Sequence, residues 1–137
     1  MANQIQELKY EGYLAEAPEM RYTEGGTAVC NFRIGSNREY KKKDGQKVKE
    51  TTWIRVTAWG QLGEIVNQLC DKGSHVIVSG FLRPGENGSP AVYELKNGGY
   101  GSSYEVIAEK VRVIKGRDSV ESEDRVIAAP GDDELPF

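Results

Sequence analysis

The sequence predicts an all-β fold with a single helix, and three observations carry that prediction. Apolar and polar residues alternate through five separate runs, the period of a half-buried strand. One segment has helical spacing instead: Leu62, Ile65, Val66 and Leu69 fall at i, i+3, i+4 and i+7. The connections are rich in Gly, Pro, Asn and Ser and include the turn dipeptide Asp44-Gly45. At 137 residues the chain is long enough for one modest core.

The first strand runs from Gln6 to Leu14, where Leu8, Tyr10 and Leu14 alternate with Glu7, Lys9 and Glu11; Gly12 inside it indicates a bulge or tight bend. Pro18 to Gly26 reads as a turn region. In the second strand, Thr27 to Arg38, the residues Ala28, Cys30, Phe32 and Ile34 share one face and Asn31, Arg33 and Asn37 the other. Arg38 to Glu50 is a charged hairpin centred on Asp44-Gly45, and Thr51 to Trp59 is the third strand. The helix follows from Gln61 to Lys72, with Gly73 as its stop. Ser74 to Arg83 is the fourth strand, with Val76, Val78 and Leu82 on one face. Pro84 to Ser103 is a long loop or flexible hairpin. Tyr104 to Ile114 is the fifth strand, and its apolar phase changes from Val106 and Ala108 to Val111 and Val113, which predicts a bulge near Glu109. Three strands, a helix and two more strands is the order of the OB-fold, a five-stranded Greek-key barrel. The expected division is a domain over residues 1–115, a short flexible linker over 116–131 and an acidic tip over 132–137, with the chain disordered from Gly116 onward.

Charge is distributed unevenly. Residues 1–115 carry 16 Lys/Arg against 14 Asp/Glu, and residues 116–137 carry 2 against 7, so a mildly basic body precedes a strongly acidic tail. The overall net charge of −3 therefore does not exclude a polyanionic partner, because the local field decides. Cys30 and Cys70 lack any C-x-x-C spacing and are expected as reduced core residues; with one His they form no zinc set. No hydrophobic stretch reaches membrane-spanning length and no signal peptide opens the chain, so a soluble cytoplasmic protein is expected. Nucleophile pairs, a phosphate-binding loop, HExxH and paired catalytic carboxylates are absent from the sequence, which predicts neither an enzyme nor a cofactor.

The third strand carries the main functional signal. Alternation sends Ile54, Val56 and Ala58 to the core and Trp53, Arg55, Thr57 and Trp59 outward. Two exposed tryptophans flanking an arginine form a surface on which bases stack, at about 1–3 kcal/mol per base for any base. Arg55 can reach a phosphate or stack its guanidinium plane. The preceding hairpin adds Tyr40 and Lys43 among six Lys/Arg in 13 residues, against three acids, which suits a groove tracking a phosphate backbone. Arg21, Lys72 and Arg83, at element ends, can extend that track. At the other end of the chain, Asp132, Asp133 and Glu134 precede Leu135, Pro136 and Phe137. Carboxylates followed by an aromatic residue that the segment cannot bury read as a plug for a basic-rimmed apolar pocket on another protein.

These residues are also those of a family. The chain resembles the bacterial single-stranded DNA-binding proteins in Gly12-Tyr13-Leu14, Pro18-Glu19-Met20-Arg21-Tyr22-Thr23, Gly26-Thr27-Ala28-Val29-Cys30-Asn31-Phe32, Trp53-Ile54-Arg55-Val56, Trp59-Gly60, Lys72-Gly73-Ser74, Val78-Ser79-Gly80, Glu105-Val106 and the acidic Pro-Phe ending. The resemblance implies base stacking on Tyr40, Trp53 and Trp59, phosphate contacts from Arg55 and Lys72, and a homotetramer. It also implies single-stranded DNA as ligand, with replication, repair and recombination proteins as partners of the tip. The family's further hairpin aromatic has no direct counterpart near Arg83-Pro84-Gly85-Glu86, leaving Tyr93 and Tyr100 as candidates. An RNA-binding or primosome-assembly module is the alternative that the fold alone permits.

Overall fold

The computed structural model describes residues 3–116 and 125–128. Its barrel closes through the first strand. β1 (Leu8–Leu14) is followed by β2 (Glu19–Tyr22), β3 (Ala28–Lys41), β4 (Lys47–Trp59), the helix α1 (Gly60–Leu69) and β5 (His75–Leu82). Then come β6 (Val92–Glu94), β7 (Tyr100–Ser102), β8 (Tyr104–Lys115) and β9 (Arg125–Ala128). The path β1-β5-β8-β4-β3 returns to β1 through Tyr13↔Gly35 and Leu14↔Ile34. This is the predicted five-stranded OB barrel with one helix. The β4–β8 pairing is parallel, and the helix and the strands between them in sequence supply the long crossover that such a pairing needs.

The interior is filled from the alternating faces. Phe32, Ile34, Ile54, Val56, Val76, Val78, Val106 and Val111 are buried, and Leu62, Val66 and Leu69 of α1 close one end against β3 and β4. The helix ends at Leu69, three residues before the expected limit: the Cys70 N–H still donates to the Val66 carbonyl, but Cys70 itself is extended. Asp71 to Ser74 then form a turn in which the Ser74 hydroxyl accepts the Asp71 N–H at 2.8 Å, so Gly73 serves that turn and not the helix end.

The bulge expected near Glu109 is present. Ser79 pairs with Lys110 and Gly80 with Ala108, so Glu109 is the extra residue. At this crossing the backbones are so close that a Cβ on Gly80 would lie 1.9 Å from the Ile107 carbonyl oxygen. Gly12 needs no bulge; it stays in register with Val76 just before β1 passes from β5 to β3.

Two segments carry more pairing than expected, and a third takes the hairpin form that was one of its two expected alternatives. Part of the region read as turns, Glu19–Tyr22, is a strand on β3. The long Pro84–Ser103 segment contains the β6–β7 hairpin. Within residues 116–131, expected as a disordered linker, Arg125–Ala128 pair antiparallel with Lys110–Val113 of β8. The reason lies in the sheet edge: β4 stops pairing with β8 at Thr57↔Ile107, leaving the following residues of β8 without a neighbour on that side. The sequence Val126-Ile127 is well suited to such an edge. The rest of the stretch beyond Gly116, including the Asp132–Phe137 tip, lies outside the described residues.

Both cysteines are buried, and burial with the adjacent Cys70 pushes the Cys30 thiol up to about 12. A thiol reagent at pH 8 should therefore leave Cys30 unlabelled until urea unfolds the barrel; rapid labelling of the native protein would contradict this packing. Gly80→Ala should lower the unfolding free energy by roughly 1–3 kcal/mol, because backbone must move to admit the methyl. An unchanged urea midpoint would show the crossing to be looser than described.

Candidate nucleic-acid interface

An unbroken ladder positions the site. β3 and β4 pair residue by residue from Val29↔Trp59 to Lys41↔Lys47, so partners across the ribbon share a face. The loop 42–46 fixes this register: the Lys42 N–H donates to Gln46, the Gly45 N–H to Lys42, and Gly45 has φ +88. On the outer face the pairs are Asn31↔Thr57, Arg33↔Arg55 and Gly35↔Trp53. The Trp53 ring lies against Gly35, where a Cβ would come within 2.8 Å of the indole Cζ3. Arg33 places its guanidinium carbon 4.7 Å from the Trp53 ring centroid. Thr57, expected outward, is buried and donates its hydroxyl to Asn31 Oδ1 at 2.9 Å.

Asn31, Arg33, Trp53 and Arg55 line a groove of about 1010 Å³ together with Tyr93 of the β6–β7 hairpin and Tyr104, which stands at the start of β8 in register with Ile54 of β4. Trp53 is 46% exposed, and Tyr93 and Tyr104 are exposed as well. Tyr93 repeats the Trp53 arrangement: it faces Gly101 across the hairpin, and a Cβ there would be 2.8 Å from the ring. Tyr100, the other candidate for the hairpin aromatic, is exposed but outside the groove. Two acids of the groove wall are engaged: Arg21 reaches Glu19 at 2.7 Å and Arg38 reaches Glu50 at 3.2 Å.

The remaining residues singled out from sequence are dispersed. Trp59 stands six positions along β4 from Trp53, roughly 20 Å away at about 3.3 Å per residue, and it is half-buried with its indole nitrogen out of solvent. Tyr40 falls opposite Val48, on the ribbon face that carries Ile34 and Ile54, hence on the other face from Trp53. Arg38 packs over its ring at 5.5 Å, and a hydrogen bond with the Glu50 carboxylate pushes its phenol up. Lys43 is exposed in the hairpin loop. Lys72 and Arg83 are exposed at opposite ends of β5, and Arg21 is held on β2. Arg33, Gly35 and Tyr104 were not distinguished as site residues by the sequence reading. The signal for the first two was their shared alternation with Asn31 and Asn37, which becomes meaningful only when the register to Trp53 is known.

Among the described residues no group of three His, Cys, Asp or Glu could hold a metal ion, and no helix is long and apolar enough to cross a membrane. His75, the single histidine, stacks on Tyr13 at 4.5 Å and lies 2.7 Å from Glu11, and none of the three lines the groove.

Residues 6–114 match the model of the single-strand binding protein family. The single-stranded DNA-binding protein of Neisseria meningitidis is 31% identical over 106 residues, covering 77% of this chain and 58% of that protein. That of Xanthomonas axonopodis pv. citri is 31% identical over 117 residues, covering 85% and 62%. A deletion mutant of the single-stranded DNA-binding protein from Thermus aquaticus superposes with a TM-score of 0.66 at 25% identity, over 93% of this chain and 56% of that one. The chain thus spans less than two thirds of the length of these relatives.

The two tryptophans should respond differently to substitution. Trp59→Ala should lower the urea midpoint because the ring is half-buried, whereas Trp53→Ala should leave it nearly unchanged. Equal destabilisation by both would mean that Trp53 is a packing residue and not a surface platform.

Proposed function

The chain belongs to the single-strand binding protein family, and on that premise we propose that it binds single-stranded DNA without sequence preference. The observation that carries this reading is the groove, in which the exposed Trp53, Tyr93 and Tyr104 alternate with the cations Arg33 and Arg55. Exposed aromatic rings interleaved with arginines are what a flexible strand of bases and phosphates requires, since every base has a stacking face and every nucleotide a charge. In this reading Trp53 is the primary platform and Tyr93 supplies the second wall. Tyr40, Trp59, Arg21, Lys43, Lys72 and Arg83 contact the strand where it continues beyond the groove, the lysines and arginines meeting phosphates. The strand is held and not altered, so no catalytic step and no cofactor is involved.

The proposed role is protection of exposed strands in the cytoplasm during replication, repair and recombination. Residues 1–115 bind the strand, 116–131 connect, and Asp132–Phe137 capture partner proteins through charge and the Phe137 ring. The assembly is a homotetramer. β1 meets β3 only through Tyr13 and Leu14, so the flank of Leu8–Gly12 on that side has no partner strand among the described residues, and a second copy covers it. A monomer mass by light scattering at micromolar concentration would remove the tetramer.

Titrating tryptophan emission with poly-dT, poly-rU and duplex DNA at several salt concentrations tests the reading. Poly-dT should quench strongly, with log affinity falling by roughly 0.7 per phosphate for each unit of log salt. Trp53→Ala should lose about 1–3 kcal/mol of binding for the base it stacks. Preference for duplex would overturn the proposal, and equal affinity for poly-rU would favour an RNA module instead. Deleting Phe137 should abolish capture of replication proteins in a pull-down and leave DNA affinity nearly unchanged; retained capture would refute the role of the tip.

A further inference from the structure

We propose that Arg33 and Arg55 form a clamp for one backbone phosphate, set beside the base that stacks on Trp53. The inference rests on the single-stranded DNA reading and adds to it Arg33, together with the sharing of one phosphate by two strands of the barrel. Arg33 and Arg55 are direct partners across the antiparallel ladder, an arrangement in which like charges destabilise the sheet. The Trp53 ring accepts Arg33 and Glu105 lies in register with Arg55, but neither bridges the two cations. Among the described residues no carboxylate lies within ion-pair distance of either guanidinium, although Glu105 is in register with Arg55 on the β8 side. Of the three acids lining the groove, Glu19 and Glu50 are taken by Arg21 and Arg38, and Glu16 forms no ion pair with either arginine. An anion between the two arginines turns a repulsive pair into a bridged one.

The geometry selects the anion. Gly35 lets the indole lie against the strand, and the indole holds the Arg33 guanidinium 4.7 Å from its centroid. A guanidinium held this way presents a planar fork of donors, the shape that meets phosphate oxygens two at a time. Arg55 offers a second fork from the opposing strand. The site is thus a nucleotide-sized unit, with an aromatic surface for the base and two forks for its phosphate. The guanidinium rests over the Trp53 ring in the unbound protein, so a base that stacks there moves it toward the phosphate, and stacking and phosphate binding depend on each other.

The test uses the full chain with Arg33→Ala, Arg33→Lys, Arg55→Ala and the double alanine variant. Binding to a labelled oligo-dT and to an abasic strand of equal length is followed by anisotropy across salt, with thermal melting alongside. Each alanine variant should weaken binding roughly tenfold, the effect of losing a hydrogen bond to a charged group, and should leave the salt slope nearly unchanged, because the remaining arginine still neutralises the phosphate. The double variant should reduce the magnitude of the slope by roughly 0.7, the value for one phosphate. Arg33→Lys should keep the slope and recover only part of the affinity. The abasic strand should show the same losses, since the contact is to phosphate. The melting temperature of Arg33→Ala should stay level or rise as repulsion is relieved. Wild-type affinity in Arg33→Ala would overturn the clamp, as would a slope loss of roughly 0.7 in each single variant, which would mean two separate phosphates. A native protein that ignores oligo-dT would instead overturn the parent reading of single-stranded DNA binding.

Discussion

The register of the β3–β4 ladder is the constraint on which the site depends. Thirteen consecutive pairs run without a bulge from the barrel wall to the tip of the hairpin, so every side chain on one strand has a fixed neighbour on the other. That is why Trp53 meets a glycine, which gives the indole a flat seat, and why Arg33 meets Arg55. A slip of two residues would keep all apolar side chains in the core and yet put a charged or bulky residue under the indole.

The same ribbon does two jobs with one alternation. Within the barrel its inner face supplies Phe32, Ile34, Ile54 and Val56 to the core and its outer face supplies the groove. Past Gly35 and Trp53 the core ends, and the inner-face positions become Arg38, Tyr40 and Glu50, linked to each other at the surface. The hairpin therefore presents Tyr40 and Trp53 on different sides.

Closure of the barrel leaves an uneven edge. β8 is shared, first by β4 and β5 and later by β5 and β9. The bulge at Glu109 falls where one partner gives way to the other, close to the tight Gly80 crossing. Bulges bend and twist the strand that carries them, so a single extra residue turns β8 from one neighbour to the next. β9 uses backbone groups that would otherwise face solvent, and it brings part of the acidic C-terminal region back onto the barrel.

Much of this was legible in the sequence, because period is a local property. Alternation marked the five barrel strands, helical spacing marked α1, and the change of phase at Val106–Val113 located the bulge before any coordinates. The exposed Trp53 beside Arg55 was likewise visible from parity alone. What parity cannot supply is which residue lies across the sheet, and that required the conformation of the loop 42–46. Hence Arg33 and Gly35 read as ordinary outer-face residues, Tyr40 read as a neighbour of Trp53, and Trp59 read as exposed. The short strands β2 and β9 escaped for the related reason that a four-residue strand has almost no period of its own. Their pairing comes from edges and partners that exist only once the barrel has closed. The sequence alone determined the barrel, its helix and a cationic aromatic face, since each follows from neighbours along the chain. The tertiary structure decided which aromatics and arginines share a groove, since that follows from neighbours across the sheet.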